Sequence, residues 1–352
     1  MAALPEFVDP GSSCTPRERG SAPGHDSPVR FARAKDARVP YPGEDVIHGR
    51  LSTRAPFHLE ATVRVLQRRP ANLVEIWERG RFLRVLATRD DLALVEVKNR
   101  GTIDNPDVRF SVRRDCSSSG TAAEFGASLR KVLGLDVAPE PLQRLAEAEH
   151  RLRPTALALR GMRPPRFAEF FEAFANVIPF QQVSLDAGVA IVGRLVEQFG
   201  RFVEHDGRRF RAFPTAQTIA EARLDALRKC GLSARKAESL RRVARKIESG
   251  ELSEDEISRM ATSDAVRILE ELPGIGPWSA ALVLLRGLGR LDVFPPGDVG
   301  AARGLSTLMK LRPGASLRRI MEGFGDRRGY LYFFALGGSL LAKGLIHAAP
   351  SS

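Results

Sequence analysis

The segment Glu271-Leu-Pro-Gly-Ile-Gly-Pro-Trp-Ser-Ala-Ala-Leu-Val-Leu-Leu-Arg286 constrains the fold more than any other part of the chain. Residues 263–272 ahead of it carry apolar side chains at three-to-four spacing, so a helix is expected to end near Leu272. Gly274 and Gly276 offer backbone angles closed to other residues, and Pro277 suits the first position of a following helix. Ile275 between the glycines is expected to plug the gap between the two helices. Such a helix-hairpin-helix aims several unpaired N–H groups at one point on a helix N-terminus, a ready site for a phosphate. The GxxxxGK[ST] pattern of a nucleotide-binding loop is missing, so no nucleotide cofactor is implied.

The charge balance fits a polyanionic partner. Lys and Arg number 54 against 42 Asp and Glu, for a net charge of +12. Nine basic residues fall between Arg223 and Lys246 against only Asp225 and Glu238. A stripe that lopsided more often tracks a phosphate backbone than a merely solvated helix face. Cys14, Cys116 and Cys230 show no CxxC spacing and support neither a disulfide framework nor a zinc or iron–sulfur site. No apolar run reaches the roughly 18 residues of a membrane helix. Glu6 and Asp9 stand where a signal peptide would be basic and then apolar. A cytoplasmic, nucleoid-associated monomer with no membrane partner is expected.

The organisation reads as a mainly α fold preceded by a small α+β unit. Residues 1–56 are rich in Pro, Gly, Ser and Arg and are expected to be a disordered tail. Arg30, Arg33, Lys35 and Arg38 leave a nucleic-acid-binding arm as the alternative. Residues 57–66, 72–80, 81–89 and 92–100 alternate and are rich in β-branched side chains, which predicts an antiparallel sheet. Helices are expected at 122–135 and 140–152, completing an α+β domain over 57–152. An all-helical domain is expected over 153–345, with helices at 167–178, 184–200, 218–231, 234–250, 253–261 and 263–272, and 346–352 as a short tail.

After the hairpin comes Asp292-Val-Phe-Pro-Pro-Gly-Asp298-Val-Gly300. Asp298 suits a helix N-cap, the usual role of Asp in such a place. The second reading puts its carboxylate against the sugar of a strand gripped by the hairpin. There an anion stabilises the oxocarbenium-like state of N-glycosidic cleavage or orients the attacking water. Both readings stay open on the residues alone. No His lies between His205 and His347, so this span offers no obvious general acid. A cationic alkylated purine leaves without protonation and suits such a site.

Four ordered blocks resemble the helix-hairpin-helix DNA glycosylase superfamily, and within it the alkyl-base (3-methyladenine, type II) DNA glycosylases. They are Ile178-Pro-Phe-Gln-Gln-Val-Ser184; Phe213-Pro-Thr with Cys230-Gly-Leu-Ser-Ala-Arg-Lys-Ala237; the hairpin; and the Asp292–Gly300 stretch. The resemblance covers about residues 57–345. It implies a monofunctional enzyme of base excision repair that releases alkylated purines flipped from damaged double-stranded DNA. Asp298 falls on the family's catalytic aspartate, and Trp278 and Phe180 fall in the base pocket. Gln182 falls on the wedge that fills the gap left by the flipped nucleotide. Leu272, Gly274, Ile275, Gly276, Ser184, Ser233 and Lys236 fall on DNA contacts. Backbone carbonyls of Leu272 and Gly274 fall where relatives hold a cation against the phosphate; no cofactor is implied for catalysis itself. Strand-nicking relatives carry a nucleophilic lysine at the position of Trp278, so no lyase activity is expected. Two departures stand out. Phe180 replaces the usual Gly, leaving a non-catalytic or altered-specificity DNA-binding protein as the alternative. Arg327 and Arg328 both precede Gly329-Tyr330, where the family often has one arginine.

Overall fold

Alternating side chains pair into a five-stranded antiparallel sheet of β1 (Asp45–Leu51), β2 (Ile76–Glu78), β3 (Arg81–Ala87), β4 (Leu92–Asn99) and β5 (Val108–Arg114). The strand order is β1-β5-β4-β3-β2. The computed structural model describes residues 45–87, 92–114, 120–140, 144, 149–312 and 317–350. On β4, Ala93, Val95 and Val97 enter the main core, while Leu92 and Leu94 join a second cluster with Leu83, Val85, Val203 and Phe210. Both faces are therefore covered, which is why β4 reads as a nearly continuous apolar run.

Two expectations change here. The tail expected over 1–56 gives way to strand β1, paired with β5 from Asp45↔Arg114 to Leu51↔Val108; residues 1–44 lie outside the described residues. A Cβ at Gly49 of β1 would sit 2.2 Å from the Phe110 ring, so the glycine admits that ring. Residues 57–66, read as a strand, form helix α1 (Leu59–Gln67), capped by His58 Nδ1 accepting from Ala61 N at 3.3 Å. Leu59, Ala61, Thr62, Val63, Val65, Leu66 and Gln67 of α1 are all buried. Glu60 and Arg64 share its less buried face, and packing of the opposite side overrides the strand preference of Thr62, Val63 and Val65.

Helix α2 (Ala122–Val132) follows, closed by the Thr121–Glu124 capping box. Most of the helix expected at 140–152 lies outside the described residues. Then come α3 (Arg153–Ala158), α4 (Phe170–Ala175), α5 (Leu185–Phe199), α6 (Ala216–Glu221), α7 (Leu224–Lys229), α8 (Ala234–Glu248), α9 (Glu254–Arg259) and α10 (Thr262–Glu270). The last are α11 (Pro277–Val283), α12 (Val299–Leu308), α13 (Leu317–Gly323) and α14 (Arg328–Ala342). The all-helical expectation breaks at a hairpin of β6 (Phe202–His205) and β7 (Arg208–Arg211). Its turn is Asp206-Gly207, with φ of +48° and +69°, the dipeptide that a two-residue hairpin turn favours. The helix expected over 218–231 is two helices, α6 and α7, because Ala222 and Arg223 are extended (ψ 141° and 139°).

One apolar core runs from Leu51 to Ile346 and joins the sheet to the helices. A buried ionic triad crosses it. Arg84 of β3 donates to Glu75 and, at 2.5 Å, to Glu172 of α4, and all three side chains are almost fully buried. Removing one partner of such a cluster costs about 3–5 kcal/mol because a buried charge is left uncompensated. Burial pushes the Glu75 carboxyl up to about 7 against the pull of Arg84. The triad fixes α4, which leads straight into the loop that lines the site. No helix among the described residues is long and apolar enough to cross a membrane.

Candidate active site

The hairpin forms as its sequence requires, with one correction. Leu272 and Ile275 are buried, and Ile275 N donates to Leu272 O at 3.0 Å. Gly274 has φ +88°, and a Cβ there would lie 2.2 Å from Ser239 Oγ, so only glycine fits. Gly276, expected to need equally restricted angles, has φ −107° and ψ −176°, ordinary extended backbone. A Cβ at Gly276 would meet nothing within 4 Å. Its bare face opens onto space rather than onto packed atoms.

The loop between α4 and α5 is tied to the hairpin by a residue the sequence did not single out. Gln181 Nε2 donates to Gly274 O at 2.8 Å and to Ser279 Oγ at 2.9 Å. Lys236 of α8 donates from Nζ to Pro179 O (3.1 Å) and Gln181 O (2.6 Å). Burial lowers the proton affinity of this ammonium. Lys236, expected as a DNA contact, thus spends two of its three donors on the loop backbone. Gln182 follows in left-handed conformation (φ +54°) with an exposed side chain, and Val183 beside it is 40% exposed. Only one of the adjacent glutamines can turn inward, and the left-handed step at Gln182 sends the two opposite ways.

Phe180 is accommodated rather than obstructive. A Cβ at Gly188 of α5 would fall 2.2 Å from its ring, so that glycine makes room for the aromatic side chain. The Arg68 guanidinium lies over the ring at 5.2 Å from its centroid. Nothing in the sequence pattern pointed to Arg68, which ends α1 at the far end of the chain.

Asp298 is the expected N-cap, and its second carboxylate oxygen has a partner of its own. Its Oδ1 accepts from Ala301 N at 2.8 Å as the N-cap of α12, and its Oδ2 accepts from Trp278 Nε1 at 2.9 Å. The two bonds fix the carboxylate plane. Trp278 is half-buried and packs against the edge of the main core. Asp298, Trp278, Phe180, Gln182, Ser184, Ser233, Lys236, Gly274 and Gly276 line one cavity of about 900 Å³, together with Arg68, Gln181 and Tyr332. Leu272 and Ile275 support the hairpin from beneath and do not line it. Ser184 caps α5, Ser233 caps α8, Gly276 precedes α11 and Asp298 caps α12. Four helix N-termini therefore reach the cavity wall, each carrying roughly half a positive charge. The cavity favours anions at its wall and holds one carboxylate of its own.

The basic stripe is partly self-neutralised. Arg223 pairs with Asp225 (3.0 Å), Arg241 and Arg242 with Glu238 (3.1 and 2.8 Å), and Lys246 with Glu251 (2.6 Å). Arg235 lines the cavity without an ion-pair partner among the described residues. Arg327 is exposed, whereas Arg328 faces a groove that it shares with Asp298 and Phe294. Leu272 O already accepts from Ile275 N, and Gly274 O from Gln181. Each carbonyl keeps one lone pair, a donor set that fits a hard cation only if water or phosphate completes its shell. No group of three or more His, Cys, Asp or Glu among the described residues could hold a metal ion.

Fold and site together define a helix-hairpin-helix DNA glycosylase architecture. A 3-methyladenine DNA glycosylase structure from Archaeoglobus fulgidus matches with TM-score 0.66 at 26% identity, covering 82% of this chain and 97% of that one. The Clostridium acetobutylicum 8-oxoguanine glycosylase/lyase in complex with double-stranded DNA shares the fold, with TM-score 0.64 at 17% identity over 85% of this chain and 98% of that one. The chain belongs to the HhH-GPD superfamily of base excision DNA repair proteins over residues 175–324, with an AlkA N-terminal domain over residues 48–169. It is 30% identical over 182 residues to the DNA-3-methyladenine glycosylase of Bacillus subtilis, spanning 52% of this chain and 60% of that protein. DNA-3-methyladenine glycosylase 2 of Escherichia coli is 29% identical over 213 residues, 59% of this chain and 70% of that protein.

Proposed function

We propose that the chain is a monofunctional DNA glycosylase of base excision repair, acting as a monomer on alkylated purines flipped from duplex DNA. The observation that carries this reading is the carboxylate of Asp298, held at 2.9 Å by Trp278 in a cavity ringed by helix N-termini and the hairpin. The hairpin amides and those N-termini grip the backbone phosphates. Gln182 and Val183, standing out of their loop, fill the gap in the duplex. Trp278 and Phe180 stack on the extruded base. The C1′–N bond breaks with its electron pair going to the base nitrogen, which neutralises an alkylated cationic purine and removes the need for a general acid. Asp298 stabilises the oxocarbenium-like sugar and takes the proton of the water whose oxygen bonds to C1′. The carbonyls of Leu272 and Gly274 would hold a cation that offsets phosphate charge.

Trp278 stands where strand-nicking relatives place their lysine, and Lys236 in the same cavity wall is engaged by two carbonyls. An abasic site is therefore the expected product. Asp298→Asn should abolish release of methylated bases from alkylated duplex while duplex binding persists; equal activity in the variant refutes the role of Asp298. The non-catalytic alternative required Phe180 to close the site. Gly188 makes room for its ring and a cavity of about 900 Å³ stays open, which favours the enzyme.

A further inference from the structure

The base cavity contains a cation that the proposed chemistry does not use. Arg68 follows helix α1 of the N-terminal α+β segment and lines the same cavity as Asp298. Its backbone has φ +62°, an unusual conformation for a long side chain. Its guanidinium lies over Phe180, donates from Nη2 to Tyr332 Oη at 3.3 Å, and has a buried Nε without a partner. No carboxylate lies within ion-pair distance of it among the described residues. Asn176 on the same wall donates one hydrogen bond from Nδ2 to Glu172 O at 3.1 Å. Arg68 with Tyr332 thus forms a charged, donor-rich corner beside the Phe180 ring, in a cavity whose other cations are Arg235 and Lys236. Tyr332 is nearly fully buried, so this corner lies at the inner end, where a base would enter, rather than at the hairpin where phosphates pass.

Resting on the glycosylase reading, we propose that Arg68 is a specificity-determining residue that reads the flipped base by donating to a carbonyl acceptor on its edge, favouring 6-oxo purines over 6-amino purines. A guanidinium has five donors and no acceptor, so it can satisfy O6 of a guanine-type base but opposes the N6 amine of an adenine-type base. A site built to hydrogen-bond one edge rejects the base that leaves its donors unpaired. Two cationic lesions separate this effect from simple charge repulsion: 7-methylguanine carries O6 and 3-methyladenine carries the amine.

Both lesions form in one duplex treated with a methylating agent, and both freed bases are counted from the same reaction by mass. For Arg68→Met, which keeps an apolar stem over Phe180, the ratio of 7-methylguanine to 3-methyladenine release should fall about tenfold, a difference of about 1.4 kcal/mol. Arg68→Lys, retaining charge and donors, should recover part of the ratio, and Tyr332→Phe should shift it in the same direction as Arg68→Met. Equal loss of both bases, or an unchanged ratio in both the Arg68→Met and Tyr332→Phe proteins, overturns the assignment and leaves the glycosylase reading intact. Release of neither base by the unaltered chain overturns the glycosylase reading and this inference with it.

Discussion

Replacing Trp278 by Phe separates the two tasks proposed for this side chain. Phenylalanine keeps an aromatic face for stacking but deletes the Nε1–H that donates to Asp298 Oδ2 at 2.9 Å. A hydrogen bond to a charged group contributes about 1.5–3 kcal/mol. The Ala301 amide still holds Oδ1 at 2.8 Å, so the carboxylate gains rotational freedom about that bond without leaving the site. If orientation of the carboxylate is what the bond supplies, the single-turnover rate of base release should fall roughly 10- to 100-fold, at 1.36 kcal/mol per decade. Affinity for a duplex carrying an abasic analogue should change little, because the hairpin and helix N-termini are untouched. Trp278→Leu, which also removes the aromatic face, should lose more. The assay is base release under enzyme excess, with binding measured separately by anisotropy. A Trp278→Phe protein that retains full rate while Trp278→Leu loses it would show that stacking alone matters and refute the orienting role.

The two hairpin glycines should behave oppositely. Gly274→Ala forces a Cβ into Ser239 Oγ at φ +88° and should destabilise the fold by about 1–3 kcal/mol, read as a lower urea midpoint. Gly276→Ala should leave that midpoint within about 0.5 kcal/mol yet weaken duplex binding, because its Cβ projects from the open face of the hairpin; unaltered affinity would count against that face as the phosphate seat. For Glu75, burial holds the folded carboxyl at about 7, so the stability it contributes is full below the ordinary glutamate range and is lost as pH rises towards 7. Unfolding free energy should decline by a few kcal/mol at most between about pH 4.5 and 7 and level off above, at about 1.4 kcal/mol per tenfold change in proton affinity. Glu75→Gln should flatten that decline, and an identical pH profile would refute the role given to Glu75.

Local rules carried much of the fold. The hairpin, β3, β4, α2, α5, α8 and α10 were legible because each obeys a short-range pattern of spacing, capping or turn chemistry. Strand β1 was not, since its partner β5 lies far along the chain and its Gly49 exists to admit Phe110. Helix α1 was misread because its β-branched Thr62, Val63 and Val65 favour a strand locally, a preference that tertiary packing overrides. The β6–β7 hairpin carried its Asp-Gly signal openly, but a helical context obscured it.

By its sequence alone the chain determined a helix-hairpin-helix, a carboxylate placed after it, and a tryptophan two residues past the hairpin's second glycine. Those are matters of residue type at fixed short spacing. Only tertiary structure decided which glutamine braces the hairpin, that Gly188 makes room for Phe180, and that Lys236 holds a loop. It alone brought Arg68 from α1 against Tyr332 of α14. Apart from Gly188 and Phe180, these contacts join residues at least 55 positions apart, and their partners are selected by the shared core that packs the sheet against the helices, not by any pattern along the sequence.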